Sequence, residues 1–363
     1  RWIASEENPL TARVTVNRFW AKVFGKGIVK TLSDFGTQDA EPTHPELLDW
    51  LAVQFMSEYD WSIKRLLREL VTSATYQQSS DYRQDLKAVD PNNTLWARGP
   101  RFRLSAEQVR DQALAVAGLL SDKMYGPGVM PPQPDGIWNN PYNNDEWVTS
   151  EGEDRYRRAV YTYWKRTAPY PSMNAFDKPS REKAVSRRIR TNTPLQALVT
   201  LNDPVYVEAA RGLAQRMIEE TGGIPETALE LGYRLALIEP PEEGAIRSLQ
   251  QLYRKALDYY RERPEEVEKL RDVGALEAMR FEESGSGPEQ ASETDQPPVQ
   301  TVAADGGTAS PSSSAAEAGS PAGAPAPAPV LAPGTPVDTP AEMAALTVAA
   351  KAILNFDPFI MKG

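Results

Sequence analysis

The 363-residue chain contains no cysteine and one histidine, His44. The first absence excludes disulfides, iron–sulfur clusters, thiolate zinc sites and cysteine nucleophiles. The second excludes any metal centre that needs two histidines. No run of about 18 apolar residues occurs, so no segment reads as a membrane span. The P-loop, dinucleotide-binding, zinc-protease and nucleophile-elbow signatures are all missing. Gly25-Lys26-Gly27 lacks the third glycine of a phosphate loop and reads as a helix stop with a turn. A basic excess is missing too. The net charge is −10, and six of the acidic residues fall in Ser284–Pro340, which has no Lys or Arg. The rest is nearly balanced, which gives no support to nucleic-acid binding. No charged-then-apolar leader opens the chain, and residue 1 is Arg, so the reading expects a processed form or a fragment.

What is present is mostly helical punctuation. Ser284–Pro340 has no aromatic residue and is dominated by Ala, Pro, Gly and Ser, the composition of a disordered linker. Apolar periodicity resumes at Met343, and residues 341–363 read as a C-terminal helix that packs back on the main domain, residues 1–283. Asn8-Pro9 opens one helix and Gly25 stops it. Thr43 with Glu46 has capping-box spacing, Ser62 opens a third helix, and Ser105 with Gln108 caps a fourth running to Gly126. Thr193-Pro194 and Asp203-Pro204 start two more, and helical patterns fill 227–237 and 242–261. The expected fold is mainly α, a single large helical domain. Within it, residues 126–180 form a small β or irregular region rich in Pro, Asn, Gly and aromatics, with Arg158–Trp164 as its strand. A loop this long is usually functional or disordered, and its rings argue for a cleft lining.

Candidate chemistry is thin. His44 sits in the first turn of a helix, where the dipole favours the neutral imidazole a base requires, although a local capping role is the blander reading. Glu107 and Asp111 share a helical face beside Arg110, as either a solvated ion-pair set or a carboxylate pair. Asn143-Asn144-Asp145-Glu146 offers oxygen ligands without EF-hand spacing. The basic–aromatic run Arg155–Arg166 reads as structural strand more readily than as a polyanion site. Polar residues poorly explained by packing are Asp34, His44 and Asp203 as weak catalytic candidates, with Arg187, Arg190, Asn192 and Asn202 as binding candidates. A rigid hydrogen-bonded junction between two helix starts is the structural alternative for the last of these.

Several blocks carry a resemblance: NPLTARVTVNRFW, PTHPELLDWLA, FDKPSRE, RTNTPLQALVTLNDPVYVEAAR and the closing AALTVAAKAILNFDPFI. Together they resemble the C-terminal domain of unknown function 1553 of planctomycete cytochrome c fusion proteins. The resemblance implies an exported, periplasmic or cell-surface, multidomain parent, with haem c bound upstream and no cofactor in this chain. It implies as partners the upstream cytochrome c and second domains of the same polypeptide. Relatives often carry Cys where this chain has Ala184, so a redox role there is lost. The expected function is an accessory, interaction or substrate-docking module; the alternative is a carboxylate-based enzyme or binding module acting on extracellular polysaccharide.

Overall fold

Local capping chemistry sets most helix starts in the computed structural model, which describes residues 2–35, 41–138, 146–277 and 336–362. The fold is mainly α. In chain order the elements are α1 (Thr11–Phe24), α2 (Pro45–Met56), α3 (Ile63–Thr72), α4 (Leu86–Val89), β1 (Phe102–Arg103), α5 (Ala106–Val116), α6 (Pro171–Ala175) and α7 (Pro194–Asn202). They continue with α8 (Pro204–Thr221), α9 (Pro225–Leu237), α10 (Glu243–Arg261), α11 (Pro264–Arg271), α12 (Pro340–Ile353), α13 (Asp357–Ile360) and β2 (Met361–Lys362). Reciprocal capping boxes form at Ser105/Gln108, Thr193/Gln196 and Thr339/Glu342. Asp203 Oδ1 accepts from the Val205 N–H at 3.1 Å, with Pro204 at the first helical position of α8. Asn8 Oδ1 accepts from the N–H groups of Leu10 and Thr11, which holds the entry to α1.

Four local expectations are corrected. The Thr43/Glu46 box does not form, because the Thr43 hydroxyl donates to the Ile28 carbonyl at 3.3 Å and His44 takes the N-cap position without a side-chain cap bond. Helix α5 ends at Val116 rather than Gly126, and Gly118 just beyond it has φ +72°. Arg158–Trp164 is no strand. Ala159–Tyr161 form a 3-10 turn, and Val129 makes the only bridge there, to Thr162. Its backbone bonds run within the turn and to Val129, and Asp111 Oδ1 accepts from the Ala159 N–H at 2.6 Å. The C-terminal helix stops at Ile353, and the chain then turns so that β2 pairs antiparallel with β1. The linker expected over Ser284–Pro340 lies, through residue 335, outside the described residues. Its last residues are in place: Val337 is buried and donates its N–H to the Gly223 carbonyl at 2.8 Å.

The described helices pack around two buried clusters. The first gathers Val16, Trp20 and Phe24 from α1 with Leu51, Phe55, Leu66 and Leu70 from α2 and α3, and is closed by Trp96. The second is centred on α8, flanked by α5, α9 and α12, with α10 packed against α12. Leu346, Ala349, Ala350 and Ile353 of α12 are wholly buried there. Each such Leu or Ile contributes about 1.5–3 kcal/mol by leaving water, so the segment after residue 335 is core rather than appendage. The two clusters meet at β1. Gly25 stops α1 in the left-handed region (φ +83°), and a Cβ there would sit 2.6 Å from the Phe102 ring. Only glycine satisfies both demands.

Candidate functional site

Two sequence blocks that are separate in the chain, FDKPSRE and RTNTPLQAL, come together against β1 and α5. Asp177 is the hinge. It adopts φ +59°, a conformation Asp tolerates better than most residues. Its carboxylate accepts from Arg103, from the Thr191 N–H at 2.8 Å and from the Thr191 hydroxyl at 2.9 Å. Gln196 Nε2 donates to the Ala175 carbonyl at 3.0 Å and to Thr191 Oγ1 at 3.3 Å, so the first turn of α7 is tied to the end of α6. Arg103 is buried and also donates to the carbonyls of Thr191 and Leu104 at 2.6 and 2.9 Å.

Lys178 follows directly and is buried. Its ammonium lies 3.9 Å from Glu107, 3.1 Å from the Met173 sulfur and 4.6 Å from the centroid of the Trp164 ring. Burial pushes its pKa down to about 8, and Glu107 opposes that shift while Arg181 and Arg188 add to it. Glu107 also binds Arg188 at 2.6 Å. Burial pushes the Glu107 carboxyl upward, but the Arg188 hydrogen bond and the Arg188 and Lys178 charges outweigh it and hold the group below the usual carboxylate range. Glu107 therefore stays ionised at neutral pH and serves as a counter-ion, not as a proton donor. Asp111, its neighbour on α5, is committed to the Ala159 N–H and to Arg158 at 3.4 Å.

The surface over this junction is cationic. Arg181, Lys183, Arg187, Arg188 and Arg190 fall within ten residues that contain one acid, Glu182. Arg188 has Glu107, whereas Arg190 stacks on the Phe102 ring at 4.2 Å and makes no ion pair or side-chain hydrogen bond among the described residues. Burial first, then Arg103, Arg187 and Arg188, hold the Arg190 guanidinium below its ordinary value. Lys22 of α1 feels the same field: burial, Arg188 and Arg190 lower it, and Glu107 opposes them. Beside these cations Val185, Ile189, Leu195 and Leu198 are exposed.

Of the residues singled out in the sequence, Arg187, Arg190 and Asn192 lie on this face, with Arg187 and Asn192 exposed. Asn202 closes α7 instead, donating to the Leu198 carbonyl at 2.8 Å. Asp203 is buried under α8, and desolvation raises its carboxyl to about 6 against the Val205 hydrogen bond and the Arg110 charge. His44 stays at the N-cap of α2, where Nδ1 sits 3.0 Å from Thr43 Oγ1. Asp34 is exposed on the loop after α1. Of the oxygen-rich run at 143–146, residues 143–145 lie outside the described residues and Glu146 is exposed. The basic–aromatic run is structural: Arg155 pairs with the buried Glu208 at 3.2 Å, and Arg157 is buried, stacks on Tyr161 at 3.9 Å and donates to the Pro127 carbonyl. Sequence reasoning missed Arg103, Asp177, Lys178 and Lys22 as members of the junction. The available signal was an Asp ahead of a Lys-Pro pair, a turn-forming combination.

Among the described residues no group of three or more His, Asp or Glu is placed to hold a metal ion, and no helix is long and apolar enough to cross a membrane. The chain's lack of cysteine removes thiolate attachment of a cofactor. A family model described as a protein of unknown function (DUF1553) matches residues 1–253. No curated protein and no solved structure matches the chain.

Proposed function

The chain belongs to the DUF1553 family, and from that premise we propose that it is an accessory docking module whose cationic face engages an acidic partner. The observation that carries this reading is the run Arg181–Arg190: five cations against one acid, with exposed Val185, Ile189, Leu195 and Leu198 alongside. Cations steer an acidic surface into register, and an apolar patch supplies area that leaves water on contact. The partner we propose is an upstream domain of the same exported polypeptide, the haem-binding cytochrome module that the family resemblance implies. Co-purification of the chain with that upstream region tests it. Association is expected at low salt, with loss at about 0.5 M salt, where screening shortens to a few ångströms, and after Arg187→Glu combined with Arg181→Glu. Retention of the complex by that double variant would overturn the reading.

A polysaccharide-binding role is the second reading, supported by a ring cluster in the irregular region. Trp147 lies 5.3 Å from Trp138, 6.4 Å from Tyr163 and 5.7 Å from Tyr170, and Tyr163 is exposed. Such rings stack on sugar faces. Sedimentation with insoluble polysaccharide, abolished by Tyr163→Ala, is the expected result; equal sedimentation of the variant would sink it.

A further inference from the structure

Arg190 is half-buried, its guanidinium face is covered by Phe102 at 4.2 Å, and among the described residues no side chain or carbonyl accepts from its N–H donors. Partial desolvation of a cation without a counter-ion is unfavourable, and the like charges around it add to that. Arg103 is already spent on Asp177 and on backbone carbonyls, and Arg188 on Glu107. Arg187 and Lys22 make no ion pair among the described residues, although Lys22 feels the Glu107 charge. The two carboxylates of the junction are therefore engaged elsewhere, while three cations have no ion-pair partner among the described residues. A guanidinium held edge-out by a ring is arranged for a planar or tetrahedral oxyanion, which accepts two parallel N–H bonds.

We propose that Arg190, flanked by Arg187 and Lys22, binds a single oxyanion at the junction of the two cores. The oxyanion is either a free phosphate-type ion or an acidic group presented by the docked partner. The inference deepens the docking reading and rests on it for the site's purpose, but the two fail separately, because the oxyanion is tested on the chain alone. Inorganic phosphate is titrated calorimetrically into the full chain at fixed ionic strength. Saturable binding is expected for the natural chain and for Arg254→Gln on the exposed face of α10, and at least ten-fold weaker binding for Arg190→Gln. Should Arg190→Gln fail to fold, Arg190→Lys keeps the charge and loses the fork, and several-fold weaker phosphate binding is expected of it. Absence of saturable binding, or equal affinity in the Arg190 variants, would overturn the proposal. A second arm adds a short glutamate-rich peptide. Displacement of phosphate assigns the oxyanion to the partner, and no displacement assigns it to the free ion.

Discussion

The two buried clusters solve the same problem with opposite chemistry. Around α1, α2 and α3 the interior is a set of interlocking rings: Trp20 stacks on Phe24 at 4.2 Å, and Trp96 meets both edge-on at 5.3 and 5.5 Å. The indole N–H groups of Trp20 and Trp96 have no acceptor, so shape rather than hydrogen bonding holds them. Buried polar groups are few, and Asn17 serves one purpose, exchanging two bonds with the Val29 backbone to fix the turn after α1. Around α8 the apolar interior also encloses charge. Arg103, Arg110, Arg157 and Arg211 are all buried, and between them they donate to nine backbone carbonyls. Most of those carbonyls lie in the irregular stretches around 125–127, 155–157, 176–191 and 273–276. Helices satisfy their own backbone, so they leave a dry core. Irregular chain does not, and here the guanidinium fork takes the place of a ladder.

Glu208 is where that difference is most exposed to attack. Its carboxylate accepts from Tyr156 at 2.8 Å, from Arg155 at 3.2 Å and from the N–H groups of Ala275 and Leu276 at 2.6 and 3.1 Å. Gly274 leaves the room: a Cβ there would fall 2.3 Å from the Glu208 carboxyl carbon. Glu208→Ala is expected to cost about 3–5 kcal/mol in denaturant unfolding, the scale for breaking a buried charged pair. The counterpart in the ring core, Trp20→Phe, removes an indole N–H that had no partner and is expected to cost under about 2 kcal/mol. Equal losses from the two would erase the contrast.

Asp203 sharpens it with pH. Its folded-state pKa of about 6 lies above the ordinary carboxylate value, so the folded chain binds the extra proton. Stability from that group is full below about pH 4 and declines as pH rises through 6. Asp203→Asn keeps a good N-cap and removes the penalty. It is expected to stabilise the protein by about 1–3 kcal/mol at pH 7, with the gain vanishing near pH 4; a pH-independent effect would rule out desolvation as its cause. The smallest expected effect is a deletion. Ahead of residues 278–335 the chain is clamped to α8 by Glu208, Arg211 and Gln215, and after them by Val337 on Gly223. The two anchors nearest those residues, Gln215 on the Glu277 carbonyl and Gly223 on Val337, are about 12 Å apart at 1.5 Å per residue. Replacing residues 284–335 with a six-residue Gly/Ser segment is expected to move the melting temperature by no more than about 2 °C, since loop entropy changes slowly with length. A larger drop would show that the segment contributes to the charged core.

The readable parts of this fold were those whose cause is local. Ser105 with Gln108, Thr193 with Pro194 and Asp203 with Pro204 each fix a helix start through atoms within three residues. Thr43 misled because its hydroxyl is recruited by Ile28, fifteen residues away. Arg158–Trp164 has the composition of a strand, yet it is shaped by Asp111 and Arg110 on a helix more than forty residues upstream, which no window of sequence contains. The junction was half legible for the same reason. Arg187, Arg190 and Asn192 stood out as polar residues without an obvious partner, whereas Asp177 and Lys178 gain their meaning only when α6 and α7 meet over β1.

The burial of α12 and the pairing of β2 with β1 also set a timetable for synthesis. The ring core is complete once Trp96 has emerged, but the charged core must wait for residue 362, more than 260 residues later. At translation rates of about 5–20 residues per second, that interval is on the order of ten to fifty seconds. Within it α8 ends at Thr221 and the helix that covers it starts only at Pro340, roughly 6–24 seconds later at those rates, so for that part of the interval the nascent chain presents a long apolar face that chaperones have time to find.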